Sequence, residues 1–230
     1  MIAAVNRIFL VALLLLSACS PAKPEDVTAH YAREGLPDLI AMSAANGDSR
    51  VAAGDTVFLR KGEAEYVVLH DAGGSFSAKI DDALAVFGED QPASLGAPRV
   101  QPEYALTEDG SETVAGIKGA VWKGHPREVP SLASFEAVVS SDPALAPLGR
   151  ALAMQTRFAV LRNSADLGGP GNFEKAMIEL FEKGAVLRFN QILKLERFYK
   201  GPIPAEMFAV PEPLLSRDAL RTRLRQPPKE

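Results

Sequence analysis

This sequence carries few of the residues that support covalent or metal chemistry. In 230 residues there are one cysteine, three histidines and one tryptophan. A single cysteine excludes a disulfide within the chain, so stability must come from burying a core. His30, His70 and His125 are 40 and 55 residues apart, with no ligand spacing around them, and predict no zinc site. No G-x-S-x-G is present. No apolar run approaches the roughly 20 residues that a membrane-crossing helix needs. Neither sign of charge dominates: 25 Lys and Arg against 29 Asp and Glu give −4, which argues against a general nucleic-acid binder. With 47% hydrophobic and 23% charged residues, collagen-like and disordered classes are also excluded.

What is present begins with an address. Arg7 precedes a short apolar run from Ile8 to Leu16, followed by Leu16-Ser17-Ala18-Cys19. A basic start, a short apolar stretch and small residues before a cut make the secretory signal pattern. The Leu-Ser-Ala-Cys ending resembles the bacterial lipoprotein signal. That resemblance implies cleavage between Ala18 and Cys19, with Cys19 acylated as the first mature residue. Three acyl chains anchor stably where one, at ~0.8 kcal/mol per buried methylene, holds only marginally. The alternative is a secreted soluble protein cut after Ala22. Ser20, rather than Asp, follows the cysteine, which in enterobacterial-type lipoproteins implies release toward the outer membrane.

The chain then divides into a lipidated tether over 19–34, one domain over 35–215 and a basic tail over 216–230. From Leu36 to Ile80 the pattern is strands and tight turns, with Asn46-Gly47 a hairpin signal. Residues 81–87 predict a helical turn or two and 88–102 a loop. Strands are predicted over 104–107, 112–122 and 135–139, with Asp109-Gly110 as the turn between the first two. Asp142-Pro143 predicts a helix start. Phe173, Ala176, Met177, Leu180 and Phe181 recur at helical spacing behind Asn172, with Gly184 where a left-handed cap belongs. Residues 187–196 alternate as one long strand.

Layer logic makes this an α+β fold: a twisted antiparallel sheet, half-barrel-like, with two to three helices on its concave face. The runs Thr113 to Trp122 (TVAGIKGAVW), Val138 to Gly149 (VVSSDPALAPLG) and Pro202 to Pro211 (PIPAEMFAVP) resemble those of an uncharacterised bacterial envelope family related to the LolA/LolB lipoprotein carriers. In that family the first run looks like the central strand pair. The carriers are half-barrels whose concave side is covered by helices, and the resemblance implies a cavity for acyl chains.

No catalytic or cofactor-binding constellation emerges. Ser49 closes a Gly-Asp-Ser triplet of the kind that begins a lipase motif, but no Asp-x-x-His follows near the C-terminus, and an exposed turn is expected there. Gly168, Gly169 and Gly171 read as a helix-helix connection rather than a phosphate loop. The acidic pairs Glu25-Asp26, Asp81-Asp82 and Glu89-Asp90 read as solvated. The tail arginines, Arg217, Arg221, Arg223 and Arg225, suggest either contact with lipid phosphates or a solvated, partly disordered end. Phe58, Tyr66, Trp122, Phe173, Phe181 and Phe189 are candidates for an apolar pocket, against the plainer expectation that most of them fill a core.

The expected function is therefore that of a non-enzymatic, membrane-anchored lipoprotein in the periplasm, at the outer membrane. It holds lipid through acylated Cys19 and binds an acyl chain or lipoprotein, without cofactor, metal or nucleic acid. An envelope assembly factor acting through its outer surface is the alternative, and an envelope hydrolase a distant third.

Overall fold

The computed structural model describes residues 25–89, 102–129, 135–164 and 172–225. Cys19 with the expected signal segment, Gly168, Gly169, Gly171, most of the 88–102 loop and the last five residues lie outside them. Six antiparallel strands come first: β1 (Val27–Arg33), β2 (Leu39–Ser43), β3 (Ser49–Ala53), β4 (Thr56–Lys61), β5 (Ala64–Asp71) and β6 (Gly74–Lys79). Helix α1 (Ile80–Glu89) follows, then β7 (Tyr104–Val114), β8 (Ile117–Pro126) and β9 (Phe135–Ser140). Helices α2 (Ala146–Ser164) and α3 (Asn172–Glu182) precede β10 (Ala185–Phe189) and β11 (Leu193–Lys200). A 3-10 turn (Ala205–Phe208), the short β12 (Leu214–Leu215) and helix α4 (Arg217–Arg225) complete the chain.

All twelve strands belong to one open sheet, in the order β12-β6-β5-β4-β3-β2-β1-β11-β10-β9-β8-β7. Every pairing is antiparallel except β12 with β6. The expected α+β class with a half-barrel-like sheet is the class observed. Among the described residues no helix is long and apolar enough to cross a membrane.

One face of the sheet makes the core. Alternation puts Val27, Ala29 and Tyr31 of β1, Leu39 and Ala41 of β2, Val51 of β3, Phe58 of β4, Val67 of β5 and Ala78 of β6 in phase on that face. They pack in one cluster with Leu148, Ala151 and Leu152 of α2 and Leu180 and Phe181 of α3. Helix α2 runs over β10, β2, β3 and β4, while α3 covers β7, β8 and β10. The Tyr31 hydroxyl donates to the Val186 carbonyl at 2.9 Å, within this face. Its burial pushes the phenol pKa upward.

Several boundaries differ from those the sequence suggests. Residues 27–33, assigned to the tether, form a strand between β2 and β11 in the middle of the sheet. Short, polar-interrupted alternation (VTAHYAR) hides a strand that both neighbours hydrogen-bond. Asp26 belongs to the domain too: its carboxylate accepts from the Ala45 and Ile203 amides at 2.8 and 2.9 Å. Asp109-Gly110 is a bulge inside β7, where the register shifts between Glu108 and Ser111. The turn falls instead at Ala115-Gly116, with φ of 49° and 79°, the two positive values of a tight hairpin. This β7–β8 hairpin lies at the outer end of the sheet, not in its centre as the family resemblance implies. The expected long strand 187–196 is two strands, because Asn190 (φ 47°) and Ile192 close a hairpin.

Gly184 is not in the left-handed region. It is glycine because a Cβ there would stand 2.1 Å from the Ser140 carbonyl oxygen. A Cβ on Gly149 of α2 would in turn stand 2.0 Å from the Gly184 oxygen. Backbone meets backbone at both places, and this junction sets α2 against the end of β9. Asp142 caps the turn that leads into α2, accepting from the Ala144 amide at 2.9 Å.

Candidate functional site

The helix-covered face contains two groups of aromatic rings. Under the later part of α2, Phe158 meets Phe58 of β4 and Phe87 of α1, with centroids 5.3 and 6.0 Å apart. Under α3, Phe173 packs on Tyr104 and Phe135 at 5.6 and 5.3 Å, Phe135 on Phe189 at 5.6 Å, and Phe189 on Phe181 at 5.5 Å. These are edge-on and tilted packings of the kind found in filled cores. Four of the six candidate pocket residues thus lie in these groups, Phe58 in the first and Phe173, Phe181 and Phe189 in the second. Trp122 is half-buried with Lys183 beside its ring, the ammonium 5.3 Å from the centroid. Tyr66 is on the other face: it pairs with Leu59 and Lys79, one residue out of phase with Val67. As a pocket residue of this face it is ruled out by strand parity.

At one border of the apolar face the inward positions turn polar. Ser43 of β2 pairs with Ser49 of β3, Ser49 with Arg60 of β4, and Arg60 with Glu65 of β5. Each is in phase with a core residue of its own strand: Ala41, Val51, Phe58 and Val67. Arg157 of α2 reaches down to bond Glu65, and Arg60 stands 3.9 Å from the same carboxylate. A groove of about 550 Å³ opens here, lined by Glu63, Ala64, Glu65, Lys79, Ile80, Asp81 and Arg157. Ser43 and Ser49 are each 1% exposed, and their hydroxyl oxygens have no hydrogen-bond partner. Ser49 is therefore a buried strand residue and not part of an exposed turn; the Asn46-Gly47 bend, with Asn46 exposed, lies just before it.

A polar residue at the inward phase of an apolar alternation is the signal that marks this row. It escapes a sequence reading because each strand contributes a single residue to the row, and the row exists only once the register is known.

Nothing among the described residues assembles a catalytic triad. Ser75 and His70 are 2.9 Å apart across the β5–β6 pairing, but both are exposed and no third group orients the ring. His125 contacts its neighbouring Pro126 carbonyl at 3.2 Å. Among the described residues no three His, Cys, Asp or Glu side chains gather to hold a metal ion.

The C-terminal arginines have protein partners. Arg217 bonds Asp82 at 3.0 Å, Arg221 bonds Glu89 at 2.5 and 2.6 Å, and Arg223 bonds Asp71 at 2.7 and 2.8 Å. Arg223 also lies over the Phe76 ring, 4.1 Å from its centroid. Leu220 is fully buried. The basic tail is thus a helix clasped to α1 and the β5–β6 turn, and its charges are engaged within the fold. The bond from Arg223 lowers the Asp71 carboxyl to about 2.

Fold and site together define a class: an open, half-barrel-like antiparallel sheet whose apolar face is roofed by helices and bordered by one polar row. In comparisons with known proteins, no protein-family model and no curated protein sequence matches the chain.

Proposed function

We propose that this chain is a membrane-anchored bacterial lipoprotein that binds an acyl-type ligand without catalysis. In this reading Cys19, exposed by cleavage after Ala18, carries the lipid, and the domain faces the periplasm from the outer membrane. The observation that carries the proposal is the helix-covered sheet face. It is apolar from β4 across to β10, five strand spacings or roughly 24 Å, a span suited to an extended hydrocarbon chain. An apolar chain between α2 and the sheet would exchange one set of hydrophobic contacts for another, at little cost in desolvated polar groups. The ligand fits the family that the sequence resembles.

Native mass spectrometry on the chain from Ser20 onward, purified gently from bacterial periplasm, tests the reading. A bound acyl species of defined mass is expected. A mass that stays that of the bare protein after addition of fatty acid or phospholipid overturns it. For the anchor, Cys19→Ala should abolish the acyl mass increment and release the protein from membranes.

A second reading, an assembly factor acting through its outer surface, is favoured by two exposed hairpin tips. Leu36 is 55% exposed and Ile192 48%, and their turns are joined by a bond from the Glu34 amide to the Ile192 carbonyl at 3.2 Å. Crosslinking from Leu36 in intact membranes, with loss on Leu36→Ser, would favour this reading.

A further inference from the structure

Helix α4 is held to the body by charge more than by burial. Of its side chains only Leu220 is fully buried, and Leu224, one turn on, is 38% exposed. At about 3.6 residues per turn these two leucines share a stripe. Arg223 borders the stripe on one side and Arg217 and Arg221 on the other, while Asp218 and Thr222 fall opposite. A leucine stripe between rows of arginine is the pattern of helices that lie in a membrane interface. In the folded chain that face is turned on the protein itself. Leu220 joins the core cluster beside α1, and the arginines bond a rim of carboxylates, Asp71, Asp82 and Glu89. Arg225 also reaches Glu89, at 3.5 Å, and Arg221 reaches Asp218 of its own helix. Every arginine of the docked helix is therefore compensated, and α4 shows no cationic patch while it stays there.

The hold is exchangeable. Asp71, Asp82 and Glu89 are 25–35% exposed, so water screens their pairs. A pair of that kind favours the docked state by a factor of about five or less. An anionic lipid surface attracts each nearby arginine by about the same factor. The chain before α4 adds little: two residues of β12 beside β6, and bonds from Ser77 to the Pro211 and Pro213 carbonyls. We propose that α4 is a membrane-contact element held in reserve, which leaves α1 on an anionic lipid surface and turns its leucine stripe and four arginines to the lipid. One face serves both partners, so docking on α1 and docking on lipid exclude each other. Lipid also covers Leu224, which α1 leaves partly in water. The element lies apart from the acyl-binding face and stands whether or not that face holds a ligand.

The test uses the chain from Ser20 onward, which contains every described residue. The probes are vesicles of phosphatidylcholine alone or with about one-third phosphatidylglycerol, at roughly 0.1 M salt. Attachment is expected to be about tenfold or more tighter to the anionic vesicles, and to be lost when Arg217→Gln, Arg221→Gln, Arg223→Gln and Arg225→Gln are combined. Hydrogen exchange over residues 80–89 should rise several-fold on the anionic vesicles alone, because α1 loses its cover. Asp71→Asn with Glu89→Gln loosens the hold while keeping every arginine, and should tighten attachment about threefold or more. Glu34→Gln with Glu128→Gln, which removes the same charge from exposed turns elsewhere, should change it less than about twofold. Equal attachment to both vesicles overturns the proposal. Tight anionic attachment with exchange over 80–89 unchanged also overturns it, because α4 would then bind without leaving. A carboxylate variant that behaves like its control does the same, and none of these outcomes bears on acyl binding.

Discussion

The two faces of the sheet solve the same problem differently. The front is covered by α2 and α3 and filled with aliphatic and aromatic side chains in one continuous cluster. The back is covered only in part. Over β3 and β4 the returning chain lays down its 3-10 turn, and Phe208, Leu59 and Val68 are buried there outside the main core. Toward the other end, Arg188 of β10 bonds Glu112 of β7 at 2.7 Å and Glu136 of β9 at 2.6 Å. The front thus draws its stability from burial, at roughly 25 cal/mol per Å² of apolar surface. The back relies on a thin apolar strap and on ion pairs that water screens. The acyl-binding function proposed above would draw on this difference, because non-directional contacts re-form around a guest whereas hydrogen bonds would be left broken.

The contrast can be broken at its strongest point first. Gly149→Ala would push a Cβ into the Gly184 carbonyl, where neither backbone can retreat without moving α2. We expect a loss of at least about 3 kcal/mol, read from the urea midpoint. Next, Leu180→Ala under α3 should cost about 2–5 kcal/mol, because a fully buried side chain leaves a cavity. Phe208→Ala on the back removes a larger side chain yet should cost less, about 2 kcal/mol, since the strap can detach locally instead of holding a cavity open. Equal unfolding costs, with hydrogen exchange unchanged over 201–215, would show that the two faces form one cooperative core.

Smaller effects sharpen the electrostatic half. Arg188→Gln should cost about 1 kcal/mol, and less in high salt, because the pair is only partly shielded from water. The hydrogen bond from Arg188 lowers the Glu112 carboxyl, so that carboxylate should titrate at higher pH in the variant, visible by NMR. The smallest effect is at the C-terminal clasp. Arg223 lowers Asp71 from 3.8 to about 2. A folded value below the unfolded one stabilises the clasp fully above about pH 4, and the benefit fades as pH falls through about 2. Amide protection in α4 should follow that course, and Asp71→Asn should remove the pH dependence. A pH-dependent loss that persists in the variant would place the titrating group elsewhere.

Much of the fold was legible in the chain itself. The 3.6-residue spacing of Phe173 to Phe181 specified α3, and the alternation in residues 56–61 and 65–70 specified β4 and most of β5. These signals are local: a helix or strand half-buried against anything repeats with its own period. Strand β1 was hidden because histidine and threonine on its outer phase break the apolar look of a strand that is central to the sheet. The Asp109-Gly110 bulge and the Ala115-Gly116 turn exchanged places because both dipeptides satisfy turn chemistry, and only pairing with β8 decides between them.

The candidate site was less legible still. The aromatic residues could be named, but strand parity put Tyr66 on the back, and parity counts from a register that no local window contains. The polar row is the clearest case. Ser43, Ser49, Arg60 and Glu65 are ordinary polar residues in four separate strands, and Arg157 is a surface-type residue on a helix far along the chain. The sequence by itself determined most of the elements and the α+β class, because period and turn residues act over a few residues. Only the tertiary structure decided what shares a face, since register, sheet order and the seating of α2 come from contacts between residues as much as 177 positions apart. Those contacts bring two unbonded hydroxyls and two guanidinium groups to one border of an otherwise apolar interior.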